Sequence, residues 1–390
     1  MSISPSRRIA DLQPSDIRYM TRECERVGGI NLGQGLGDLP APDAVKEGAI
    51  AAIRENRSTY TSSEGIPELR QAIARKLAHD NKLTVNPDTN IVVTGGTTGA
   101  FAATLTALLN PGDGILLLAP YYGYHLNTIL LSGLEAQFLN LEAPSFALEE
   151  QALRAALRSN TKAIVICTPA NPSGKMFSEA ELRIIDRVAG NHDLLVITDE
   201  IYEYITYDGH PHISPATIGN LKDRTVSIQG FSKTFSITGW RLGYVVAPEP
   251  LARAINLVAD LLYVCAPAPL QYGVLAGLEA SGDVIGQFRA KYQAKRDKLC
   301  AGLKAAGLKP LVPQGAYYVL TDVGAFGYPD SKTAALALLH QTGVASIPGS
   351  AFYPDGGGEH LVRFCFAKED AVLEEAIQRL GRFRVYEKSA

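Results

Sequence analysis

The chain has 390 residues, 46% of them hydrophobic and 20% charged, and its net charge at pH 7 is −3. That length allows two domains, or one large domain with a smaller companion. The weak charge gives no electrostatic reason to expect binding to nucleic acid or to an anionic membrane. No apolar run approaches the roughly 20 residues of a membrane-spanning helix. Arg7 and Arg8 precede no apolar core of the kind that a secretory signal contains.

The spacing of cysteines and histidines indicates a cytoplasmic protein without a metal site. The five cysteines are scattered and odd in number, with no CxxC pair, which favours free thiols in a reducing compartment. Cys167 and Cys365 lie inside apolar runs, so we expect both to be small core residues. The seven histidines show no metal-ligand spacing, and we predict no metal ion.

The first 30 residues predict an irregular arm followed by a short helix. Arg18, Arg22 and Arg26 recur at helical spacing and are expected to form a face exposed to solvent. A glycine-rich turn follows at 31–40, where glycine permits backbone shapes closed to other residues and the close approach of a ligand. A plain loop is an equally good interpretation of this turn alone.

A regular alternation of apolar strands and helices begins at residue 91. Strands are predicted at 91–94, 115–119, 136–139, 163–167, 194–198, 225–229 and 242–247. Helices are predicted before them at 43–55 and 67–81, and between them at 98–109, 148–158 and 178–189. Strands that are apolar throughout are covered on both faces. The pattern therefore predicts a three-layer α/β/α domain with about seven strands in a mainly parallel sheet.

The chain becomes more helical after residue 250. Helices are predicted at 251–262, 270–280, 284–306, 332–341 and 371–382, with short β-like runs at 316–321 and 361–365. This composition predicts a smaller α+β domain. The predicted division is an N-terminal arm at 1–45 that packs with the small domain, a large domain at 46–275 and a small domain at 276–390.

Polar residues follow five of the predicted strands at the point where each strand ends. These residues are the turn at 95–99, Tyr121 with Tyr122, Asn171, Asp199 with Tyr202, and Ser232 with Lys233. Open α/β sheets bind ligands outside the carboxyl ends of their strands. The convergence of five polar groups at one edge therefore predicts a ligand site there.

Two of these groups, and one arginine nearer the C-terminus, suggest a chemical role from residue type alone. Gly96, Thr97 and Thr98 open a helix, whose N-terminus can bind an anion, although such turns are common. Asp199 ends a buried strand and needs a cationic partner or good donors, with a helix N-cap as the alternative. Arg363 lies alone on an apolar strand, so a ligand carboxylate is a sensible partner, with an internal Asp or Glu as the alternative.

The stretch 230–243, GFSKTFSITGWRLG, places Lys233 just past the end of an apolar run. Ser232, Ser236 and Arg241 surround that lysine with hydroxyls and a fixed cation for an anionic group. An ordinary strand-to-loop turn with a solvated lysine is the alternative. The stretch resembles the lysine signature of class I aminotransferases, and further motifs from about residue 31 to residue 367 follow in that family's order.

The resemblance implies fold type I and the cofactor pyridoxal 5′-phosphate (PLP). It implies that Lys233 holds PLP as a Schiff base and moves the proton during catalysis. It places Asp199 at the pyridine nitrogen, Tyr202 and Asn171 at the ring oxygen, and Tyr122 on the face of the ring. It assigns the phosphate to Gly96, Thr97, Thr98, Ser232 and Arg241.

The resemblance also implies a homodimer and a substrate site. Tyr60 is implied to reach the phosphate in the partner subunit, although a half-buried loop tyrosine is the reading without the family. The substrate carboxylate is assigned to Arg363 and Asn171, with a backbone contact from Gly35. The family usually has proline soon after this glycine, where the chain has Gly37.

The implied reaction moves an amino group from an L-amino acid to a 2-oxo acid by a ping-pong mechanism. The segment 260–267 has no arginine and Thr97 is uncharged, which favours a neutral or aromatic donor and leaves a basic donor open. Lyases, ring-closing synthases and decarboxylases share the same cofactor residues and stay as alternatives. A PLP-sensing regulator would need a fused DNA-binding domain, for which 390 residues leave no room.

Overall fold

The described part of the N-terminal segment contains a 3-10 turn at Arg7–Ile9, an α-helix and a two-residue strand. The computed structural model describes residues 6–10, 12, 14–280 and 284–386. Helix α1 spans Asp16–Arg26, and Ser15 caps it by accepting a hydrogen bond from the backbone N–H of Arg18. The side of α1 that carries Arg18, Arg22 and Arg26 is exposed, as predicted. Strand β1 (Ile30–Asn31) follows the helix.

Seven strands form the large sheet, and each lies where the sequence predicts it. They are β2 (Ile91–Thr94), β3 (Gly114–Ala119), β4 (Glu135–Asn140), β5 (Thr161–Cys167), β6 (Leu195–Asp199), β7 (Thr225–Gly230) and β8 (Gly243–Val246). Their order across the sheet is β2-β8-β7-β6-β5-β3-β4. All neighbours pair in parallel except at β8, which runs antiparallel to both β2 and β7.

Helices cover both faces of this sheet. They are α2 (Asp43–Arg54), α3 (Pro67–Lys76), α4 (Gly96–Leu108), α5 (Gly123–Leu131), α6 (Glu150–Ala156), α7 (Glu179–Asn191), α8 (Glu249–Tyr263) and α9 (Ala268–Glu279). A π-helical turn at Leu77–Asn81 extends α3. Alternate residues of β5 enter opposite cores: Val165 packs with α4, α5 and α8, whereas Ile164 packs with α6 and α7. The three-layer prediction is confirmed.

Helix α5 was not predicted. Its sequence, GYHLNTILL, has no acidic residue and ends in an apolar run, so it lacks the polar face by which a surface helix is recognised. The fold places it between β3 and β4 because two parallel neighbours need a crossover connection. This helix carries a residue of the candidate site that is described below.

A second, four-stranded antiparallel sheet has the order β12-β13-β10-β9. Its strands are β9 (Lys309–Leu311), β10 (Tyr318–Asp322), β12 (Ile347–Pro348) and β13 (Leu361–Cys365), and β11 (Val344–Ala345) pairs with β1. Helices α10 (Val284–Ala305), α11 (Ser331–Thr342) and α12 (Asp370–Leu380) accompany them. Met20 and Cys24 of α1 lie in the same core as Phe364 of β13. The division at 45 and 275 stays a prediction.

Two kinds of feature are absent from the described part of the chain. No helix there combines the length and the apolar character that crossing a bilayer requires. No group of His, Cys, Asp and Glu side chains in those residues is placed to hold a metal ion. The cysteines are free thiols, and Cys365 is buried in the core, as predicted.

Candidate active site

A cavity of about 450 Å³ lies at the carboxyl edge of the large sheet, beside the second sheet. The predicted site residues that line it are Gly35, Thr97, Thr98, Tyr122, Asn171, Asp199, Tyr202, Ser232, Lys233, Arg241 and Arg363. Parallel strands end at a common edge, so side chains distant in sequence meet there. Gly96 lies just behind this lining, and Tyr60 lies outside it.

Lys233 projects into the cavity from the turn after β7. Its Nζ donates a hydrogen bond to the carbonyl oxygen of Gly35 at 3.3 Å and lies 5.7 Å from the centre of the Tyr317 ring. Burial, with a smaller contribution from the positive charge of Arg241, lowers the pKa of Lys233 to about 8. A substantial fraction of this amine is therefore neutral, and so nucleophilic, near physiological pH.

Asp199 is buried at the end of β6, where it has two donors. His125 Nε2 lies 3.0 Å from its Oδ2, and the backbone N–H of Ile201 donates to Oδ1 at 3.2 Å. Asp199 therefore does cap a turn, but it also faces the cavity. His125 comes from α5 and packs against Phe101, with ring centres 4.6 Å apart. Sequence reasoning missed His125 because α5 was not predicted, although it stands only three positions after Tyr122.

Cys167 is not the core residue that its apolar run suggested. It is the last residue of β5, is half-buried and lines the cavity. The prediction was wrong because Cys167 borders the cavity at the carboxyl end of β5 and is not enclosed on all sides by the packed layers. Burial, and then the negative charge of Asp199, raises the pKa of the Cys167 thiol well above its usual value. This thiol is therefore a poor nucleophile.

Arg363 is buried on β13 without a carboxylate partner. Its Nη1 donates to Asn171 Oδ1 and its Nη2 to the carbonyl oxygen of Gly33, both at 2.7 Å. The guanidinium lies between two rings, 4.2 Å from the centre of Tyr318 and 4.8 Å from that of Phe352. Its Nε has no partner, and no Asp or Glu of the described residues pairs with it. The alternative interpretation, in which an internal Asp or Glu pairs with Arg363, is therefore wrong. A ligand carboxylate would supply the missing partner.

Two tyrosines at the start of β10 were missed by sequence reasoning: Tyr318 lines the cavity, and Tyr317, just before the strand, lies beside Lys233. Tyr318 Oη lies 3.0 Å from Tyr202 Oη, and burial raises the pKa of Tyr202. Tyr317 Oη donates to the carbonyl oxygen of Gly35 at 2.9 Å. A Cβ atom on Gly35 would overlap Tyr318 Oη, so any other residue there requires Tyr318 to move. Their place in a predicted strand was the one signal for these tyrosines.

The first turn of α4 and Arg241 form a candidate anion site. Gly96 has a φ of +76°, and a Cβ atom there would come within 2.5 Å of Arg241 Nη2. Arg241 itself adopts a φ of +56° and donates from Nη1 to the carbonyl oxygen of Thr238 at 2.8 Å. A helix N-terminus and a fixed guanidinium together favour an anion such as phosphate. Hydroxyl groups that line the cavity come from Thr97, Thr98 and Ser232.

Tyr60 is outside the cavity and 81% exposed. The loop after it is attached to α8, because Asn256 donates to Ser63 Oγ and Glu64 Oε1 at 3.0 and 2.9 Å. The same helix exposes Leu261, which is 79% accessible. Within one chain Tyr60 therefore has no part in the site, and its predicted role depends on a second subunit.

The chain matches the family model for "Aminotransferase class I and II" over residues 27–380. The chain belongs to this aminotransferase family. It is 34% identical over 373 residues to the probable N-succinyldiaminopimelate aminotransferase of Mycobacterium tuberculosis, covering 93% of this chain and 94% of the relative. The solved structure of the M. tuberculosis N-succinyldiaminopimelate aminotransferase superimposes with a TM-score of 0.94 at 33% identity, covering 97% and 99% of the two chains.

Two further relatives carry different substrate names. The aspartate/prephenate aminotransferase of Thermus thermophilus is 34% identical over 386 residues, covering 97% of this aminotransferase and 98% of the relative. The methionine aminotransferase of Escherichia coli is 31% identical over 376 residues, covering 96% and 97%. These names agree on the reaction class and differ on the amino acid.

Enzymes of this family use PLP, and the residues of this aminotransferase fit that cofactor. The anion site at Gly96 and Arg241 suits a phosphate group. The buried Asp199 suits a protonated pyridine nitrogen, and the amine of Lys233 suits an aldehyde. The guanidinium of Arg363 lines the cavity, and no Asp or Glu of the described residues pairs with it, so it suits the carboxylate of an amino acid substrate.

Proposed function

We propose that this aminotransferase moves the amino group of a neutral or aromatic L-amino acid to a 2-oxo acid through two half-reactions at one site. In this proposal Lys233 holds PLP as a Schiff base, and the two half-reactions follow ping-pong kinetics. The observation that carries the proposal is one shared cavity. It contains the partly neutral amine of Lys233 and the buried guanidinium of Arg363, with which no Asp or Glu of the described residues pairs.

Bound PLP supplies an electron sink for the negative charge that forms at the substrate Cα. Asp199 would keep the ring nitrogen protonated, and His125 would orient that carboxylate through its 3.0 Å contact. Tyr202 and Asn171 would bind the ring oxygen, and Tyr122 would cover one face of the ring. The roles of Asp199, Tyr202, Asn171 and Tyr122 are supported by the place of each side chain at the cavity wall.

The phosphate would bind where the chain offers the most donors. Arg241 would supply charge, and the first turn of α4 would supply free backbone N–H groups. The hydroxyls come from Thr97, Thr98 and Ser232. Because Gly96 lacks a side chain, the guanidinium of Arg241 can approach the helix N-terminus closely.

Arg363 would bind the substrate α-carboxylate by its planar fork. Asn171 already accepts from that guanidinium, and its amide nitrogen can donate to the same carboxylate. The substrate amine would take the place of Lys233 at the aldehyde carbon, and the released amine of Lys233 would then take the proton from Cα. The carbonyl oxygen of Gly35 would accept a hydrogen bond from that released amine, as it does in this structure.

The preference for a neutral or aromatic donor is supported by the walls of the cavity. Ile17, Leu36, Tyr122, Tyr124 and Tyr318 line it, so apolar and aromatic surface surrounds the space beyond the α-carboxylate site. Tyr122 and Tyr124 are stacked, with ring centres 5.2 Å apart. Apolar side chains gain by leaving water for such a surface.

The half-reaction assay tests the reaction and the donor together. PLP-loaded enzyme is mixed with each common amino acid without an acceptor, and the visible band of the cofactor is followed. Loss of the band, with pyridoxamine phosphate and one equivalent of 2-oxo acid, supports transamination and names the donor. A released fragment or a cyclised amino acid, with the band restored unaided, contradicts transamination in favour of a lyase, decarboxylase or synthase. Reaction with acidic donors alone would contradict the donor preference.

We also propose a cytoplasmic homodimer in which Tyr60 reaches the phosphate of the partner subunit. The exposure of Tyr60, beside the exposed apolar residues Leu257 and Leu261 of α8, supports this arrangement. Co-refolding equal amounts of Tyr60→Ala and Lys233→Ala chains should restore activity to about a quarter of wild type. Mixed dimers make up half of the population, and each has one intact site of two. Two inactive variants that stay inactive when mixed would contradict the shared site.

A further inference from the structure

Four positively charged side chains line the cavity: Arg18, Lys233, Arg241 and Arg363. The proposed function uses the last three for the cofactor aldehyde, the phosphate and the α-carboxylate. Arg18 has no role in it. Sequence reasoning assigned Arg18 to a solvent-exposed face together with Arg22, which does not line this cavity.

Arg18 is held at the cavity by a helix that is firmly attached to the fold. It lies in the first turn of α1, where Ser15 accepts its backbone N–H. The opposite side of α1 buries Met20 and Cys24 completely or almost completely in the core of the second sheet. Lys332 of α11 contacts Asp16 at 3.1 Å. The position of Arg18 at the cavity mouth is therefore set by packing.

The guanidinium of Arg18 has no partner within the described residues. No hydrogen bond, ion pair or ring contact involves its side chain, whereas Arg26 on the same helix pairs with Glu23 at 2.8 Å. The guanidinium of an exposed arginine stays hydrated. The side chain of Arg18 can therefore turn out of the cavity at little cost in free energy when a neutral substrate side chain is bound. When an anion enters, the same side chain offers a planar fork of donors.

We propose that Arg18 binds the distal carboxylate of a dicarboxylic substrate, the 2-oxo acid acceptor of the second half-reaction. This inference rests on the proposed function, because both half-reactions use one cavity. The α-carboxylate of either substrate would bind Arg363. A neutral or aromatic donor would place its side chain against Ile17, Leu36 and Tyr124, and a five-carbon dicarboxylic acid would place its second carboxylate at Arg18 instead.

Binding of unreactive acids tests the role of Arg18 without turnover. Glutarate and pentanoate both have five carbons and differ in having two carboxylates or one. Calorimetric titration of the PLP-loaded enzyme should show tighter binding of glutarate. In Arg18→Gln the affinity for glutarate should fall by about tenfold or more, as for loss of a charged hydrogen bond, and that for pentanoate should stay the same. Arg18→Lys should restore part of the difference.

Arg22→Gln is the matched control, because it removes the same charge one turn further along α1. It should leave both affinities unchanged. Equal losses in Arg18→Gln and Arg22→Gln would overturn the inference, since they would indicate a general effect of surface charge. An unchanged ratio of glutarate to pentanoate affinity in Arg18→Gln would overturn it as well.

Kinetics separate this inference from the proposed function. In the acceptor half-reaction, Arg18→Gln should lower kcat/KM for 2-oxoglutarate about tenfold and leave that for pyruvate unchanged. A wild-type enzyme that transaminates but shows no Arg18 effect overturns the inference alone. A wild-type enzyme that transaminates no pair of substrates overturns the proposed function, whereas the glutarate titration still decides whether Arg18 binds a second carboxylate.

Discussion

The two walls of the cavity are assembled in different ways. One wall is the carboxyl edge of the large sheet, where Asp199, Ser232 and Lys233 each stand at or just after the end of an apolar strand. The other wall joins the N-terminal segment to the second sheet, and its central contact, from Arg363 to Gly33, spans 330 positions of the chain. The first wall is a consequence of strand order, whereas the second requires that distant segments pack together.

The difference suggests that one wall carries out the chemistry and the other selects the substrate. The sheet edge carries the groups that would bind the cofactor and move the proton. The opposite wall carries Arg363, Tyr318, Gly35 and Arg18, which would contact the substrate. Substitutions at the sheet edge should therefore lower kcat, and substitutions in the opposite wall should mainly raise KM.

The largest effect is expected at the sheet edge. Lys233→Ala should lower turnover by at least about 10⁴-fold, because both the Schiff base and the proton carrier are lost. Steady-state kinetics on a folded variant, checked by its thermal unfolding, measures this effect. Lys222→Ala, at an exposed lysine before β7, is the control and should keep full activity. Full activity in Lys233→Ala would contradict the proposed role of Lys233 in holding PLP and moving the proton.

A smaller effect, and of a different kind, is expected at Arg363. Arg363→Lys keeps the charge but loses the planar fork and the stacking between Tyr318 and Phe352. KM for the amino acid should rise roughly 100-fold, while the visible spectrum of bound PLP stays the same. Kinetics across donor concentrations, with the spectrum recorded alongside, tests both parts. A changed spectrum with an unaltered KM would indicate that Arg363 contacts the cofactor and not the substrate.

Gly35→Ala tests whether a displacement of Tyr318 also displaces the stacked Arg363. The added Cβ would overlap Tyr318 Oη, so Tyr318 and the stacked Arg363 must shift. KM should rise about tenfold or more, because small displacements of binding groups are costly. Gly190→Ala in α7, where a Cβ meets nothing within 4 Å, should change neither KM nor kcat. Equal kinetics in the two variants would show that Tyr318 relaxes without moving Arg363.

The smallest effect concerns the pKa of Lys233, which burial lowers to about 8. Only the neutral amine attacks the aldehyde, so the rate of PLP capture by the apoenzyme should fall as pH falls through this value. Between pH 8 and pH 7 the decrease should be about fivefold. Stopped-flow absorbance measures it, and pyridoxamine phosphate, which has no aldehyde, is the control. A capture rate that is flat over this range would contradict the lowered pKa.

Much of the fold was predictable because apolar strands and amphipathic helices are local patterns. All seven strands of the large sheet were identified, and β2 has the predicted bounds at both ends. Helix α5 was missed because its nine residues lack the distinct polar face by which a surface helix is recognised. His125 was missed with it, although it contacts Asp199 at 3.0 Å.

The sequence by itself determined the large sheet and the polar residues at its carboxyl edge, because strand periodicity and strand ends are properties of neighbouring residues. Only the tertiary structure decided which residues complete the opposite wall. It aligned Gly35 with Tyr317 and Tyr318, left Arg363 without a carboxylate and brought Arg18 to the cavity mouth. These relations join segments about 300 positions apart, and no local pattern records the packing that brings such segments into contact.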